Sequence, residues 1–218
     1  QEHIMMVDSR GVIYNGRDSG MNKFKARFSV DTNCRTLEDA VRNAGRFIKE
    51  GGAGAVKLEG GTAYTKQISA IIDAGIPVMG HVGLLPQSYH LSSGYRIQGK
   101  TKFEAEKIYE DALAVQESGA FSVVLEGIPA DLAERITETL EIPTIGIGAG
   151  PDCDGQIQVY HDILGLYGDL VPKHTKQYGN LGTEIQNKLA EYKNEVEVRK
   201  FPSQKHFTTS KVQPVETH

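Results

Sequence analysis

Apolar residues recur at helical spacing over residues 36–50, where Leu37, Ala40, Val41, Ala44, Phe47 and Ile48 form one stripe. Thr36 precedes it as a cap, and Gly51-Gly52 follow as a stop. A β-branched run at 55–59 reads as a strand, and 62–74 reads as a second helix closed by Gly75. Residues 76–79 form the next strand, with Pro77 near its start, where a missing N–H does least harm. A long polar loop is expected from His81 to about Thr101. Phe103, Ile108, Ala112 and Val115 then mark a helix stopped by Gly119, followed by a strand over 121–126 and a helix over 130–140. Short strands follow at 144–147 and 156–159, and Ile185, Leu189, Tyr192 and Val196 define one face of a C-terminal helix.

Strand-helix alternation of this kind is the mark of a parallel α/β fold. With weaker strands at 4–7 and 28–30 the count is about seven, one short of the eight that close a (β/α)8 TIM barrel. Such barrels usually need about 250 residues, so the first βα unit is expected to be missing from this 218-residue chain. An open doubly wound sheet is the competing architecture. Its Gly-rich dinucleotide turn with an acidic residue about 20 positions later is not found, and the glycines at 146, 148 and 150 are a weak substitute. Residues 1–206 are expected to form one domain, with a mobile tail over 207–218.

Composition narrows the function. With 24 Lys+Arg against 28 Asp+Glu and a net charge of −4, no global basic field exists to attract nucleic acid or an anionic membrane. No apolar stretch approaches the roughly 20 residues that span a bilayer, and no signal-peptide pattern opens the sequence. The two cysteines, Cys34 and Cys153, fit no disulfide framework or zinc spacing, so a reducing, cytoplasmic setting is expected.

In a barrel, chemistry sits at the C-terminal ends of the strands. Asp8 and Ser9 follow the strand at 4–7, Asp31 follows 28–30, Lys57 and Glu59 lie in the third strand, His81 follows the fourth, and Glu126 ends the fifth. Lys57 and Glu59 are two apart and share a face, so they read as a structural ion pair or as a functional pair inside the barrel. Asp8, Glu59 and Asp31 offer hard oxygen ligands suited to Mg²⁺, although Asp-Ser before Gly also caps ordinary turns. The glycines around His81 suggest room for its ring to reach a ligand, against the plainer reading of a histidine satisfied by a backbone carbonyl. Glu126, closing an apolar strand, is either tied to a neighbouring loop or available for proton transfer. The segment from Gly83 to Gly99 is long enough to be a binding loop. Asp152, Cys153 and Asp154 lack the ligand alternation of a calcium loop, and Cys153 has no histidine near it in sequence to activate a thiol.

Several segments together resemble one family, ketopantoate hydroxymethyltransferase (3-methyl-2-oxobutanoate hydroxymethyltransferase). They are VKLEGG at 56–61, IPVMGHVGLLPQS at 76–88, GYRIQG at 94–99, VLEGIPADLA at 124–133 and IPTIGIGAG at 142–150, with DGQ at 154–156 and HD at 161–162. The resemblance covers residues 36 to about 207. It implies a (β/α)8 barrel, a homodecamer, Mg²⁺, a small 2-oxo acid substrate and 5,10-methylenetetrahydrofolate as co-substrate. Asp8 and Ser9, within DSRG at 8–11, look like the family's metal-binding Asp and substrate-contacting Ser. Lys57 and His81 look like its keto-acid contacts, Glu59 like its carboxylate that either touches the metal or supports its ligands, and Glu126 like its catalytic base. The family has a complete strand and helix before the Asp-Ser segment, and a longer stretch than residues 20–35 after it. Asp31 is the best match here to its second metal-ligand Asp.

The implied chemistry is removal of the C3 proton of 3-methyl-2-oxobutanoate by Glu126, followed by attack of the Mg²⁺-stabilised enolate on the folate-borne one-carbon unit, giving 2-dehydropantoate. Two readings compete. A Mg²⁺-dependent phosphoenolpyruvate mutase or isocitrate lyase type of enzyme would use similar carboxylates, but the cysteine setting of such lyases is not found. A shortened homologue could instead serve as an assembly or binding protein.

Overall fold

The computed structural model describes residues 3–7, 12–15, 26–27, 36–85, 96–166 and 171–209. The first three segments are strands β1 (His3–Val7), β2 (Val12–Asn15) and β3 (Ala26–Arg27). Helix α1 (Leu37–Lys49) starts where Thr36 accepts a hydrogen bond from the Asp39 N–H at 3.1 Å. Strand β4 (Val56–Glu59) leads through a single 3₁₀ turn into α2 (Thr65–Asp73). Strand β5 (Val78–Gly83) is followed by α3 (Lys102–Glu117), whose start is fixed by a reciprocal Thr101–Glu104 capping box. Strand β6 (Ser122–Glu126), α4 (Ala130–Thr139), β7 (Thr144–Ile147) and β8 (Gly155–Val159) complete the sheet. The short α5 (Tyr160–Ile163) and the longer α6 (Leu181–Glu197) follow.

The sheet order is β3-β2-β1-β8-β7-β6-β5-β4, with β4 to β8 parallel and each beside its predecessor in the chain. A doubly wound sheet reverses its order at a switch point, and no reversal occurs between β4 and β8. Because strand-helix-strand crossovers share one hand, such a run puts its helices on one face. The α/β class and the barrel-wall pattern expected from sequence are therefore both present, as an arc of successive staves. Strand β1 lies parallel to β8 at the far edge, and β2 and β3 extend that edge antiparallel. Among the described residues β3 and β4, the two ends, do not pair with each other.

Alternation along the strands splits the core in two. On the helix side, Val56, Leu58, Val78, Val82, Val123 and Leu125 pack against Ala40 and Ala44 of α1, Ile68 and Ile71 of α2, Ile108, Ala112 and Val115 of α3, and Leu132, Ala133 and Ile136 of α4. On the other side, Met79, Val124, Ile145, Ile147 and Ile157 form a smaller apolar cluster with Ala55.

Three features differ from the sequence reading. His81 is in strand β5 rather than a loop, because β6 continues the ladder beyond residue 79, pairing His81 with Val124 and Gly83 with Glu126. Strand β2 was not expected, since its four residues show no alternation long enough to register. Helix α6 forms where the pattern places it, yet Ile185, Leu189, Tyr192 and Val196 are all exposed and none of its residues is buried. The strand expected at 28–30 lies outside the described residues, as do residues 210–218 of the expected tail. No helix among the described residues is long and apolar enough to cross a membrane.

Candidate active site

Glu59 ends β4, His81 is the antepenultimate residue of β5, and Glu126 ends β6, so three adjacent parallel strands deliver these side chains to the same end of the sheet. The register makes them neighbours: Glu59 is level with His81, and Glu126 is level with Gly83, two residues beyond His81. All three lie on the face opposite the helices, above the layer formed by Lys57, Met79 and Ser122.

The result is a carboxylate-imidazole-carboxylate line. His81 Nδ1 is 3.5 Å from Glu59 Oε1, and His81 Nε2 is 3.1 Å from Glu126 Oε2. His81 is fully buried and Glu59 is 3% exposed, while the Glu126 side chain retains 16% exposure and forms the accessible end. These are ion-pair distances, but neither ring nitrogen has an aligned hydrogen bond. A small carboxyl rotation would align either contact as a hydrogen bond with hardly any change in the separation. A buried imidazole with both nitrogens imperfectly satisfied carries a free-energy cost that is expected where function requires it.

The glycine setting of His81 does not serve the purpose expected of it. A Cβ on Gly80 would lie 2.2 Å from Val115 Cγ1, so that glycine lets α3 approach β5 closely on the opposite face. The ring of His81 has no open space around it; it is enclosed between two carboxylates.

The profile of the ketopantoate hydroxymethyltransferase family matches residues 25–204. A 3-methyl-2-oxobutanoate hydroxymethyltransferase of Geobacter sulfurreducens is 59% identical over 223 aligned positions, covering 93% of this chain and 84% of that protein. The chain belongs to the ketopantoate hydroxymethyltransferase family. A relative of the same name from Moorella thermoacetica is 58% identical over 171 residues, 78% of this chain, and the chain spans 64% of that relative's length. A phosphonopyruvate hydrolase structure with oxalate and Mg²⁺ aligns at a TM-score of 0.45 and 13% identity, covering 78% of this chain and 62% of that one, too loosely to carry an inference.

Of the residues that the family resemblance singles out, Lys57, Glu59, His81 and Glu126 converge on one face, whereas Asp8, Ser9 and Asp31 lie outside the described residues. Strand β1 runs parallel to β8 and stops at Val7, just before Asp8. The structural ion pair that was one of the two readings of Lys57 and Glu59 is not formed. Two residues along a strand separate side chains by roughly 6.6 Å, and Glu59 turns instead to His81 on the next strand. Lys57 is half-buried on the same face. Among the described residues no three His, Cys, Asp or Glu side chains gather as a metal-binding group. Glu59 is the described carboxylate of the candidate metal set, and one or two carboxylates with water and substrate oxygens are what Mg²⁺ commonly takes.

Two other clusters resolve as structural. The Asp154 carboxylate accepts from the Thr144 N–H at 2.8 Å and from the Thr144 hydroxyl at 3.1 Å, which latches the starts of β7 and β8 together, at the opposite end of the strands from Glu59, His81 and Glu126. Burial pushes the Cys153 thiol up, with Thr137 and Thr144 hydrogen bonding opposing the shift, the direction that disfavours the thiolate. The sequence reading missed Asp111, which reaches from α3 to the turn after Glu59. It lies 49 residues from its partner Thr62, so no local motif announces it.

Proposed function

We propose that the chain transfers a hydroxymethyl group from 5,10-methylenetetrahydrofolate to 3-methyl-2-oxobutanoate, giving 2-dehydropantoate for pantothenate synthesis. The observation that carries this reading is the Glu59–His81–Glu126 line at the strand ends of a chain in this family.

Glu126 is the base. Its carboxylate is the accessible end of the line, placed to take the C3 proton of the keto acid, leaving the electron pair of the broken C–H bond as an enolate. His81 contacts it through Nε2, so the imidazole holds Glu126 in place and shares the proton that it has taken. The 16% exposure of Glu126 lets that proton exchange with solvent while the enolate lasts. Lys57, half-buried on the same face, is assigned to offset the charge of the substrate carboxylate, and Ser9 to orient it. The enolate carbon then bonds to the one-carbon unit carried as an iminium on the folate, as the C=N π pair moves onto nitrogen. Water then replaces that nitrogen on the same carbon, forming the C–O bond as the C–N bond breaks, and releases the hydroxymethyl product and tetrahydrofolate.

Mg²⁺ is assigned to Glu59 with Asp8 and Asp31. When bound there, it supplies positive charge that lowers the energy of the enolate oxygen. The exposed line of Ile185, Leu189, Tyr192 and Val196 on α6 supports a homo-oligomer, for which the family resemblance suggests a decamer. The net charge of −4 supports a protein without nucleic-acid or membrane partners, and two cysteines outside any disulfide framework support a reducing, cytoplasmic setting.

The test is exchange of the C3 proton of 3-methyl-2-oxobutanoate in deuterated water, with and without Mg²⁺, followed by addition of methylenetetrahydrofolate. Metal-dependent exchange and a hydroxymethylated product are expected. A folded sample that exchanges nothing would overturn the assignment.

A further inference from the structure

We propose that Asp111 on α3 is a positioning residue for the Glu59–His81–Glu126 line, acting by clamping the Gly60-Gly61 turn that leaves Glu59. The inference rests on the active-site reading above and adds to it a residue outside the strand ends.

The clamp has three described parts. Asp111 Oδ1 accepts two hydrogen bonds from Thr62, one from its backbone N–H at 2.7 Å and one from its hydroxyl at 2.7 Å. Hydrogen bonds to an ionised acceptor are about twice as strong as neutral ones, and here both end on one oxygen. On the strand side, the Gly60 N–H donates to the His81 carbonyl at 2.9 Å, an isolated bridge beyond the regular β4–β5 ladder. The turn is thus held between β5 and α3, with Glu59 just before it and His81 directly across.

The glycines show how tightly the clamp is closed. A Cβ on Gly61 would lie 2.1 Å from Asp111 Cβ and 2.3 Å from its Cγ. A Cβ on Gly60, whose φ is +113°, would lie 2.4 Å from the Tyr64 ring. Asp111 and Tyr64 therefore press on consecutive backbone units, at positions where only glycine leaves them room. A turn built for solvent exposure alone has no need of two such approaches. Its effect is to fix the direction in which β4 ends, and so the 3.5 Å separation of Glu59 from His81. The line needs that separation, because the Nδ1 side of His81 sets how its Nε2 side meets Glu126.

Asp111→Ala removes both bonds, Asp111→Asn keeps an oxygen that accepts both, and Thr62→Val removes the hydroxyl bond alone. Each is compared with the unaltered protein by C3-proton exchange and by the ¹⁵N resonances of the His81 ring, assigned with a His81→Asn sample. Asp111→Ala is expected to lower kcat for exchange by about 10- to 100-fold, the scale of an ångström-sized misplacement, with KM changed by less than about threefold. The His81 ring resonances should move with it, move less in Thr62→Val, and stay in place in Asp111→Asn. Unchanged His81 resonances and kcat in Asp111→Ala would overturn the proposal, as would an Asp111→Asn protein impaired as much as Asp111→Ala. If Asp111→Ala does not fold, the absence of any His81 shift in folded Thr62→Val overturns it. If the unaltered protein exchanges no proton, the functional assignment falls, and the ring resonances still decide the clamp.

Discussion

The two faces of strands β4 to β6 are built from alternate residues of the same few segments, yet they follow opposite rules. On the helix side every strand position is apolar and fully packed: Val56 and Leu58, Val78 and Val82, Val123 and Leu125. On the other side Lys57, Glu59, His81 and Glu126 interrupt a smaller apolar cluster, and His81 is buried with both nitrogens imperfectly satisfied. One face stabilises the fold, and the other retains unmet polar demand for chemistry. A one-residue register slip would exchange the two, so the hydrophobic pattern that folds the sheet also aims the side chains of the candidate site.

Substitution of neighbouring residues on opposite faces is the sharpest way to break this contrast. Glu126→Gln should lower C3-proton exchange by about 10²- to 10⁴-fold, the usual contribution of a positioned base, while its melting temperature stays near that of the unaltered protein. Leu125→Ala, one residue away and fully buried on the helix side, should cost about 2–5 kcal/mol of stability in a denaturant titration. Below its melting point, its exchange rate should remain close to normal. If Leu125→Ala abolished exchange in a folded sample, the separation of roles would fail.

Smaller effects sharpen the same picture at its edges. Thr101→Ala removes the capping box of α3, the helix that carries both Val115 and Asp111, and should cost about 1 kcal/mol in the same titration. The smallest effect concerns Asp162, whose carboxyl is held above its ordinary range by burial, against the opposing pull of His174 and His161. A carboxyl that binds its proton more tightly in the folded state costs stability once pH exceeds its ordinary range, and costs nothing where both states are protonated. Asp162→Asn should therefore raise the melting temperature slightly near neutral pH, and the gain should vanish as pH falls below the ordinary carboxylate range.

Much of the helix side was legible in the sequence, because periodicity reports burial directly. The stripe in α1, the capping residue Thr36, and the strands β4, β6 and β7 fall where the pattern puts them. The site was legible only as a set of strand-end residues. Lys57, Glu59, His81 and Glu126 could each be named, but the partner of Glu59 depends on the β4–β5 register, which no local pattern states. His81 was read as a loop residue because Gly80 and Gly83 resemble turn signals, when Gly80 serves the approach of Val115. Asp111 was invisible, since its partner is brought to it only by the packing of α3 against β5 and the 3₁₀ turn that follows β4. The stripe on α6 forecast a helix correctly and forecast nothing about what would cover it.

The stepwise order of the parallel strands also bears on how the molecule is made. From β4 to β8 each new strand needs only its immediate predecessor as a template, so the chain can add staves as they emerge during synthesis, each closing a short loop. The pairing of β1 with β8 joins His3 to Gly155 and spans nearly the whole sheet-forming sequence. It closes the longest loop in the sheet, and until it forms β8 presents a bare strand edge to neighbouring molecules.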